Sequence, residues 1–163
     1  MWTYGRRRLT RLEAVLFAAV VGVFIAVLLD RLYDYFELAE RASVEVTLAS
    51  LQSGLNVRLA QDLMTGRARD LGRWRRKNPF TITRTTPVNY LGEIAQPRLD
   101  EVDPPAWLFD PSAAELVYVP RHARSLRTAD GSGVLRFRLV PGQAQGAIGV
   151  GIAAAQPYEW RIE

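Results

Sequence analysis

Residues 14–29 form an uncharged, almost wholly apolar run of 16 residues, which limits what the chain can fold into more than any other feature. Asp30 and Arg31 end the run. Four arginines precede it: Arg6, Arg7, Arg8 and Arg11. As a helix the run spans about 24 Å, slightly less than the hydrocarbon core of a bilayer, and Leu12 extends it. The sequence therefore predicts one transmembrane helix that contacts membrane lipid.

The arginines before the run predict its orientation. Cytoplasmic flanks of membrane helices carry an excess of Lys and Arg, so residues 1–8 should be a cytoplasmic, leader-like segment and the rest of the chain should be exported. A cleaved secretory signal is the alternative. Leu28, Leu29 and Asp30 stand where signal cleavage needs small residues, which favours retention in the membrane. We therefore expect a single-pass protein of a bacterial inner membrane with a periplasmic domain.

Helical periodicity continues beyond the apolar run. Apolar residues recur three, four or five positions apart from Leu32 to Leu63, while polar residues take the other faces. The first proline is Pro79, and Thr65 and Gly66 supply a C-terminal stop. This pattern predicts one helix over about residues 9–65. Its transmembrane half is residues 9–30 and its amphipathic half is residues 31–65.

The remaining residues, 66–163, are typical of short strands separated by turns. Residues 107–109 and 115–119 flank a turn and predict a hairpin, and residues 134–140 alternate between apolar and basic before a Pro141-Gly142 break. Residues 147–155 and 158–162 could add one strand each. These strands predict a small antiparallel sheet that covers three leucines of the helix: Leu51, Leu55 and Leu59. The fold class is therefore α+β, with a long helix packed on the sheet.

The N-terminal helix resembles that of type IV pilins and pseudopilins. In that family an apolar first mature residue is followed four positions later by a glutamate, as Glu13 follows Leu9 here. Gly22 and the Asp34-Tyr35 pair fall where pilin-like helices commonly carry a glycine and an Asp-Tyr pair. Weaker likenesses to minor pilin-like proteins lie at Asn78-Pro79 and residues 89–93. The resemblance covers roughly residues 9–65.

The resemblance implies roles in filament assembly for Leu9, Glu13 and Gly22. In the family the glutamate pairs with the N-terminal amine of a neighbouring subunit, so the implied partners are other pilin or pseudopilin subunits, an inner-membrane assembly platform and a prepilin peptidase. If Arg8-Leu9 stays intact, Arg8 or Arg11 becomes the cation for Glu13. The alternative for Glu13 is a carboxylate that snorkels to the cytoplasmic interface.

Three features depart from the family pattern. Arg8 stands where the peptidase requires a glycine, so we expect poor or absent processing at Arg8-Leu9. Asp30 stands where many pilins carry a proline, and the pair of cysteines that closes a C-terminal loop in many pilins is absent because the chain has no cysteine. The lack of cysteine is closer to pseudopilins than to major pilins.

A basic stretch follows the predicted helix and surrounds Trp74. Its cations are Arg67, Arg69, Arg73, Arg75, Arg76 and Lys77. Such a stretch can contact phosphates and stack a base, which would indicate nucleic acid. The alternative is a solvated junction that contacts the acidic residues 93–115, within one subunit or between subunits. The sequence favours this second interpretation, so nucleic acid is not an expected partner.

Candidate catalytic and metal residues are few, and we expect no enzyme activity and no cofactor. The single histidine, His122, lies in a polar loop and is interpreted as a surface residue. Asp100, Glu101 and Asp103 offer oxygen ligands for calcium but lack the glycine-punctuated spacing of a calcium loop. The glycines at 146, 149 and 151 lie within a predicted strand, which does not support a phosphate-binding loop.

Two classes of function are consistent with these patterns. The favoured one is a structural subunit of a type IV pilus or a type II secretion pseudopilus that assembles through its N-terminal helix. Small residues permit close helix contact and support it: Val15, Ala18, Ala19, Gly22 and Ala26. The alternative is a signal-anchored periplasmic accessory or sensor protein that does not polymerise. The arginine at position 8 favours this alternative.

Overall fold

A computed structural model describes residues 10–66, 74–144 and 147–161 of the 163-residue chain. One long helix, α1, spans Arg11–Met64, close to the predicted range of 9–65. The chain divides into two compact units, Met1–Phe36 and Glu37–Glu163. A long N-terminal helix followed by a small sheet is the α+β class that the sequence predicts. In the first unit the description begins at Thr10, so Leu9 and Arg8 lie outside the described residues.

The second unit contains a short helix, α2 at Pro79–Thr83, and two sheets. The strands are β1 Tyr90–Glu93, β2 Ala106–Asp110, β3 Glu115–Val119, β4 Leu126–Thr128, β5 Leu135–Ala144, β6 Ala147–Ala154 and β7 Tyr158–Trp160. Five of them form one sheet in the order β1-β2-β3-β5-β6, and β4 pairs with β7 in a separate sheet. The predicted hairpin is confirmed as β2 and β3, which pair from Ala106 with Val119 to Asp110 with Glu115.

Three details of the sheet differ from the prediction. The sheet is mixed, because β1 runs parallel to β2 while the other pairs are antiparallel. The predicted strand at residues 158–162 ends at Trp160 and pairs with β4 instead of joining the main sheet. The predicted break at Pro141-Gly142 is wrong, since β5 continues through both residues to Ala144.

The pairing geometry explains why Pro141 does not end β5. Pro141 stands opposite Val150 of β6. The Val150 carbonyl and the Ile152 N–H both bond to the side-chain amide of Gln52, at 2.9 and 3.0 Å, so these groups point away from β5. Pro141 and Val150 therefore form a non-hydrogen-bonded pair, which does not require the N–H that proline lacks. Gln52 thereby covers the open edge of β6.

The core of the second unit lies between α1 and one face of the main sheet. Leu51, Leu55 and Leu59 are buried, as predicted. Leu51 packs in a cluster with Val44, Phe80, Trp107, Leu116, Tyr118, Leu126, Leu135, Phe137 and Trp160. Leu55 and Leu59 pack in a second cluster with Trp74, Leu139 and Val150. A third cluster contains Leu108, Val117, Val119 and Val134, with Leu99 and Val102 packed against it.

Candidate functional site

The start of α1 is closed by a reciprocal pair of hydrogen bonds between Thr10 and Glu13. The Thr10 N–H donates to Glu13 Oε2 at 2.8 Å, and the Glu13 N–H donates to Thr10 Oγ1 at 3.3 Å. This arrangement is a capping box, which satisfies two of the free N–H groups at a helix start. The Thr-x-x-Glu spacing could have revealed it from the sequence. Glu13, singled out for assembly, thus also has a local role.

The first unit exposes apolar side chains along α1. Among residues 11–32 none is buried, and the exposed ones include Leu12, Phe17, Phe24 and Leu28. This stretch is long and apolar enough to cross a membrane, and no part of its apolar window is buried against the protein. Gly22 has no atom within 4 Å of the position that a Cβ would take. Such an all-round apolar surface is unstable in water and suits lipid or another apolar helix.

In the second unit, α1 presents an exposed face with no charged residue between positions 38 and 64. Spacings of four, four and three residues, repeated along the helix, place one set on the same side. The set is Leu38, Ala42, Val46, Ala49, Ser53, Val57, Ala60 and Met64, all exposed. We call these eight residues the uncharged face. Soluble helices normally carry charged residues on the exposed side, so this face is unusual.

The charged residues of the same stretch lie outside this face. They are Glu40, Arg41, Glu45, Arg58 and Asp62. Arg41 donates to the Trp160 carbonyl at 2.6 Å and pairs with Glu45 at 2.9 Å. Arg58 lies 3.7 Å from Asp62, and both line a cleft with Trp74. None of these charges belongs to the uncharged face, although the Glu45 side chain is itself 60% exposed.

Two carboxylates of α1 hold the loop between β3 and β4. Glu37 is 1% exposed, and its Oε1 accepts from the Ser125 N–H at 2.8 Å, Ser125 Oγ at 2.6 Å and Trp160 Nε1 at 2.9 Å. Burial raises the pKa of Glu37, but these hydrogen bonds and the nearby Arg124 charge outweigh it and hold that pKa below its ordinary value. Glu37 is thus a buried carboxylate whose Oε1 accepts three hydrogen bonds.

Glu40 is the second carboxylate, one helical turn further on. Its Oε1 accepts from Tyr118 Oη at 2.8 Å and from the Arg121 N–H at 2.7 Å, and its Oε2 accepts from the His122 N–H at 2.8 Å. Burial raises the pKa of Tyr118, and the hydrogen bond and charge of Glu40 raise it further. The sequence did not identify this pair of carboxylates, because their partners lie far along the chain.

The expected surface histidine is tied to the same carboxylate. His122 Nδ1 lies 3.0 Å from Glu40 Oε2, and the side chain is 27% exposed. In the calcium candidate, Glu101 pairs with Arg98 at 2.8 Å and Asp103 lies 3.8 Å from Arg121. Within the described ranges, no group of three or more His, Asp or Glu residues could hold a metal ion.

The basic stretch divides between core and surface. Trp74 is buried with Leu55 and Leu59, so its ring does not offer a surface for base stacking. Arg75, Arg76 and Lys77 are exposed. The other three cations of the stretch, Arg67, Arg69 and Arg73, lie outside the described residues. No ion pair joins the described part of the stretch to the described acidic residues 93–115.

The segments with a weak family likeness form one local network. Asn78 caps α2 by accepting from the Phe80 N–H at 3.0 Å. Its side-chain amide donates to Tyr90 Oη at 2.6 Å and to Glu93 Oε1 at 3.0 Å. These bonds fix the start of α2 to strand β1, so the observed role of this network is structural.

Comparison of the chain with known protein families, curated proteins and solved structures finds no match.

Proposed function

We propose that the protein is a membrane-anchored filament subunit of the type IV pilin or pseudopilin class. The uncharged face of α1 carries this proposal. It is exposed, opposite the stripe that packs on the sheet, and built from small and apolar residues that stay on one side of the helix. A face of this kind is costly in water and is stabilised by contact with the helices of other copies.

The apolar stretch at residues 11–32 supports the same proposal from a second region. It suits storage of the monomer in the inner membrane, with residues 1–8 in the cytoplasm and the second unit in the periplasm. Partners would be other subunits, membrane lipid and an assembly platform, with a prepilin peptidase acting at Arg8-Leu9 if that site is cut. We propose a structural protein and no catalytic activity.

The alternative function is a single-pass, signal-anchored periplasmic accessory or sensor protein that does not polymerise. Arg8 favours it, because a glycine precedes the cleavage site in the family that the helix resembles. Such a protein would use residues 11–32 only as an anchor, and its uncharged face would bind a different protein or none. The two functions therefore differ in whether copies contact each other along α1.

Cysteine crosslinking in the bacterium that makes the protein tests the proposal. The chain has no cysteine, so Ala49→Cys introduces a single thiol on the uncharged face. We expect crosslinked dimers through this thiol. The matched control is Thr86→Cys, an exposed position on the loop before β1. Equal low yields at both positions would rule out the filament function and favour the anchored monomer.

A charge placed on the uncharged face gives a second, independent readout. Val57→Glu puts a carboxylate at a position that is 57% exposed, so the second unit should fold normally. Buried against another helix, the same carboxylate lacks a partner, and assembly should fall sharply. Thr86→Glu is the control, and it should leave assembly unchanged. Filaments that tolerate Val57→Glu would place the contact between copies elsewhere.

A further inference from the structure

A cleft of about 410 Å³ lies beside the turn between β2 and β3. Arg75 and Arg76 line it from the segment before α2, and Arg138 lines it from β5. Glu115 is the one acidic residue among its described lining, and its carboxylate lies 3.6 Å from Arg136 Nη1. The cleft therefore holds an excess of positive charge.

The three arginines of the cleft have no partner among residues 10–66, 74–144 and 147–161. All three are exposed, and none makes an ion pair or a side-chain hydrogen bond with a described residue. Like charges on one cleft repel each other, and a bound anion relieves this repulsion. The planar guanidinium group matches the two oxygens of a carboxylate. The chemistry of the cleft therefore suits a ligand that carries carboxylates.

The same chain exposes a segment of the matching charge. Residues 99–103 carry Asp100, Glu101 and Asp103. Glu101 pairs with Arg98 and Asp103 lies 3.8 Å from Arg121, whereas Asp100 is exposed and makes no ion pair with a described residue. Leu99 and Val102 fix this segment on the sheet by packing against the cluster around Leu108. None of its carboxylates lines the cleft of its own copy. Within one copy the segment therefore does not contact the cleft, and a second copy can supply its carboxylates.

We infer that the basic cleft of one copy binds the acidic segment, residues 99–103, of a second copy. This inference rests on the proposed function, because it names a contact between filament subunits. The two surfaces are different parts of the chain, so the contact is head-to-tail, and its repetition builds a filament where the rotation between copies does not close a ring. Nucleic acid fits the cleft less well, since Trp74 is buried and no described aromatic residue lines the cleft for base stacking.

Charge reversal followed by a compensating reversal tests the contact in the full-length protein. Ala113→Cys in the cleft and Ala95→Cys before the acidic segment supply two exposed thiols for a short bifunctional thiol reagent. In that background Arg138→Glu should lower the yield of crosslinked dimer about tenfold, because it sets like charges against each other. Adding Asp100→Lys to the same chain should restore the yield. Arg127→Glu, an exposed arginine outside the cleft, should have no effect.

The crosslink through Ala49→Cys on the uncharged face separates this inference from the proposed function. If the Ala49 crosslink forms while the Ala113 to Ala95 crosslink does not, the inference is wrong and the filament function stands. Loss of both crosslinks would overturn the two together. A yield that Arg138→Glu lowers and Asp100→Lys fails to restore would also contradict the inference, because the cleft would then bind some other anion.

Discussion

The two stretches of α1 differ in what their apolar residues contact. In the first unit, residues 11–32 expose apolar side chains on all sides, and none of them is buried. In the second unit, α1 buries one stripe that includes Val44, Leu51 and Leu55, and it exposes an uncharged face on the other side. One helix thus has an apolar surface suited to lipid, a stripe that packs on its own sheet, and an exposed face without charged residues.

The difference shows how sequence pattern decides the partner of a helix. Without periodicity, the apolar residues of the first stretch cannot be satisfied by one sheet face, so they need a surrounding apolar medium. With periodicity, Leu51, Leu55 and Leu59 fall on one side and pack against the strands. The second unit should therefore depend on its leucines for folding, and the first should not. Matched substitutions in the two stretches test this difference.

Truncation of a buried leucine should give the largest effect. Leu55 is fully buried, so Leu55→Ala should lower the free energy of unfolding of the second unit by about 2–5 kcal/mol. Leu28→Ala is the matched control in the first unit, where the side chain is 55% exposed. It should leave the transition unchanged. Thermal unfolding of the full chain in detergent, followed by near-ultraviolet circular dichroism of the tryptophans, measures both. Equal losses would abolish the contrast.

Substitution of the buried carboxylate Glu37 should give the second largest loss of stability. Glu37→Gln takes the charge from a group that accepts three hydrogen bonds, so we expect a loss of about 2 kcal/mol. Glu45→Gln is the control, because that side chain is 60% exposed and its ion pair with Arg41 is open to solvent. Its expected loss is about 0.5 kcal/mol or less. Urea unfolding at neutral pH distinguishes the two variants, and equal losses would show that burial adds nothing to the role of Glu37.

The lowered pKa of Glu37 also predicts a dependence on pH. A carboxyl whose pKa is lower in the folded state stabilises that state above its ordinary pKa of 4.5. This stability is lost as the pH falls below 4.5 and through the folded pKa, because the unfolded chain then binds more protons. The melting temperature of the wild-type chain should therefore fall in this range more than that of Glu37→Gln. Parallel curves for the two proteins would show that Glu37 does not contribute.

Two glycines of α1 give a smaller and more local contrast. A Cβ at position 54 would lie 2.8 Å from Thr83 Cγ2 of α2, whereas a Cβ at position 22 would meet nothing within 4 Å. Gly54→Ala should therefore cost about 1–2 kcal/mol of stability through overcrowding. Gly22→Ala should leave the folding of either unit unchanged. Recovery of stability in Gly54→Ala when Thr83→Gly is added would confirm the cause, and its absence would contradict it.

The sequence was sufficient for features that depend on local pattern. The helix bounds and the burial of Leu51, Leu55 and Leu59 follow from periodicity, and the capping box follows from the spacing of Thr10 and Glu13. The uncharged face also lies within one helix, and its repeat could have been found by asking where the charges of α1 fall. Most features of α1 can therefore be predicted from the local sequence pattern.

Features that depend on distant pairing could not be predicted. Strand β1 has four residues with Gly92 at φ 105°, too short and irregular for an alternation signal, and its parallel partner β2 is known only from the fold. A proline such as Pro141 is tolerated inside a strand only at a non-hydrogen-bonded position, where the missing N–H is not required. The sequence does not show which positions these are. Arg75 and Arg138 line the same basic cleft although they are far apart along the chain. Such contacts are set by tertiary structure, which a single sequence pattern does not encode.

Substitution of Glu13 should have the smallest effect on folding, because Glu13 lies in the first unit. Glu13 caps the start of α1. The proposed pilin-like function predicts a second role for it, in pairing with a cation of a neighbouring subunit. Gln keeps an oxygen that can accept the Thr10 N–H but carries no charge, whereas Leu removes both the capping bond and the charge. The two variants therefore separate the two roles.

If Glu13 acts in assembly through its charge, Glu13→Gln and Glu13→Leu should lower the Ala49→Cys crosslink equally. If it acts only as a cap, Glu13→Gln should keep the crosslink and Glu13→Leu should lose part of it. Neither variant should change the unfolding transition of the second unit, because Glu13 lies in the first unit and makes its described hydrogen bonds with Thr10. Membrane insertion should be unchanged or easier, since a carboxylate is costly to bury in lipid. A crosslink that survives both substitutions would leave Glu13 as a snorkelling carboxylate with no part in assembly.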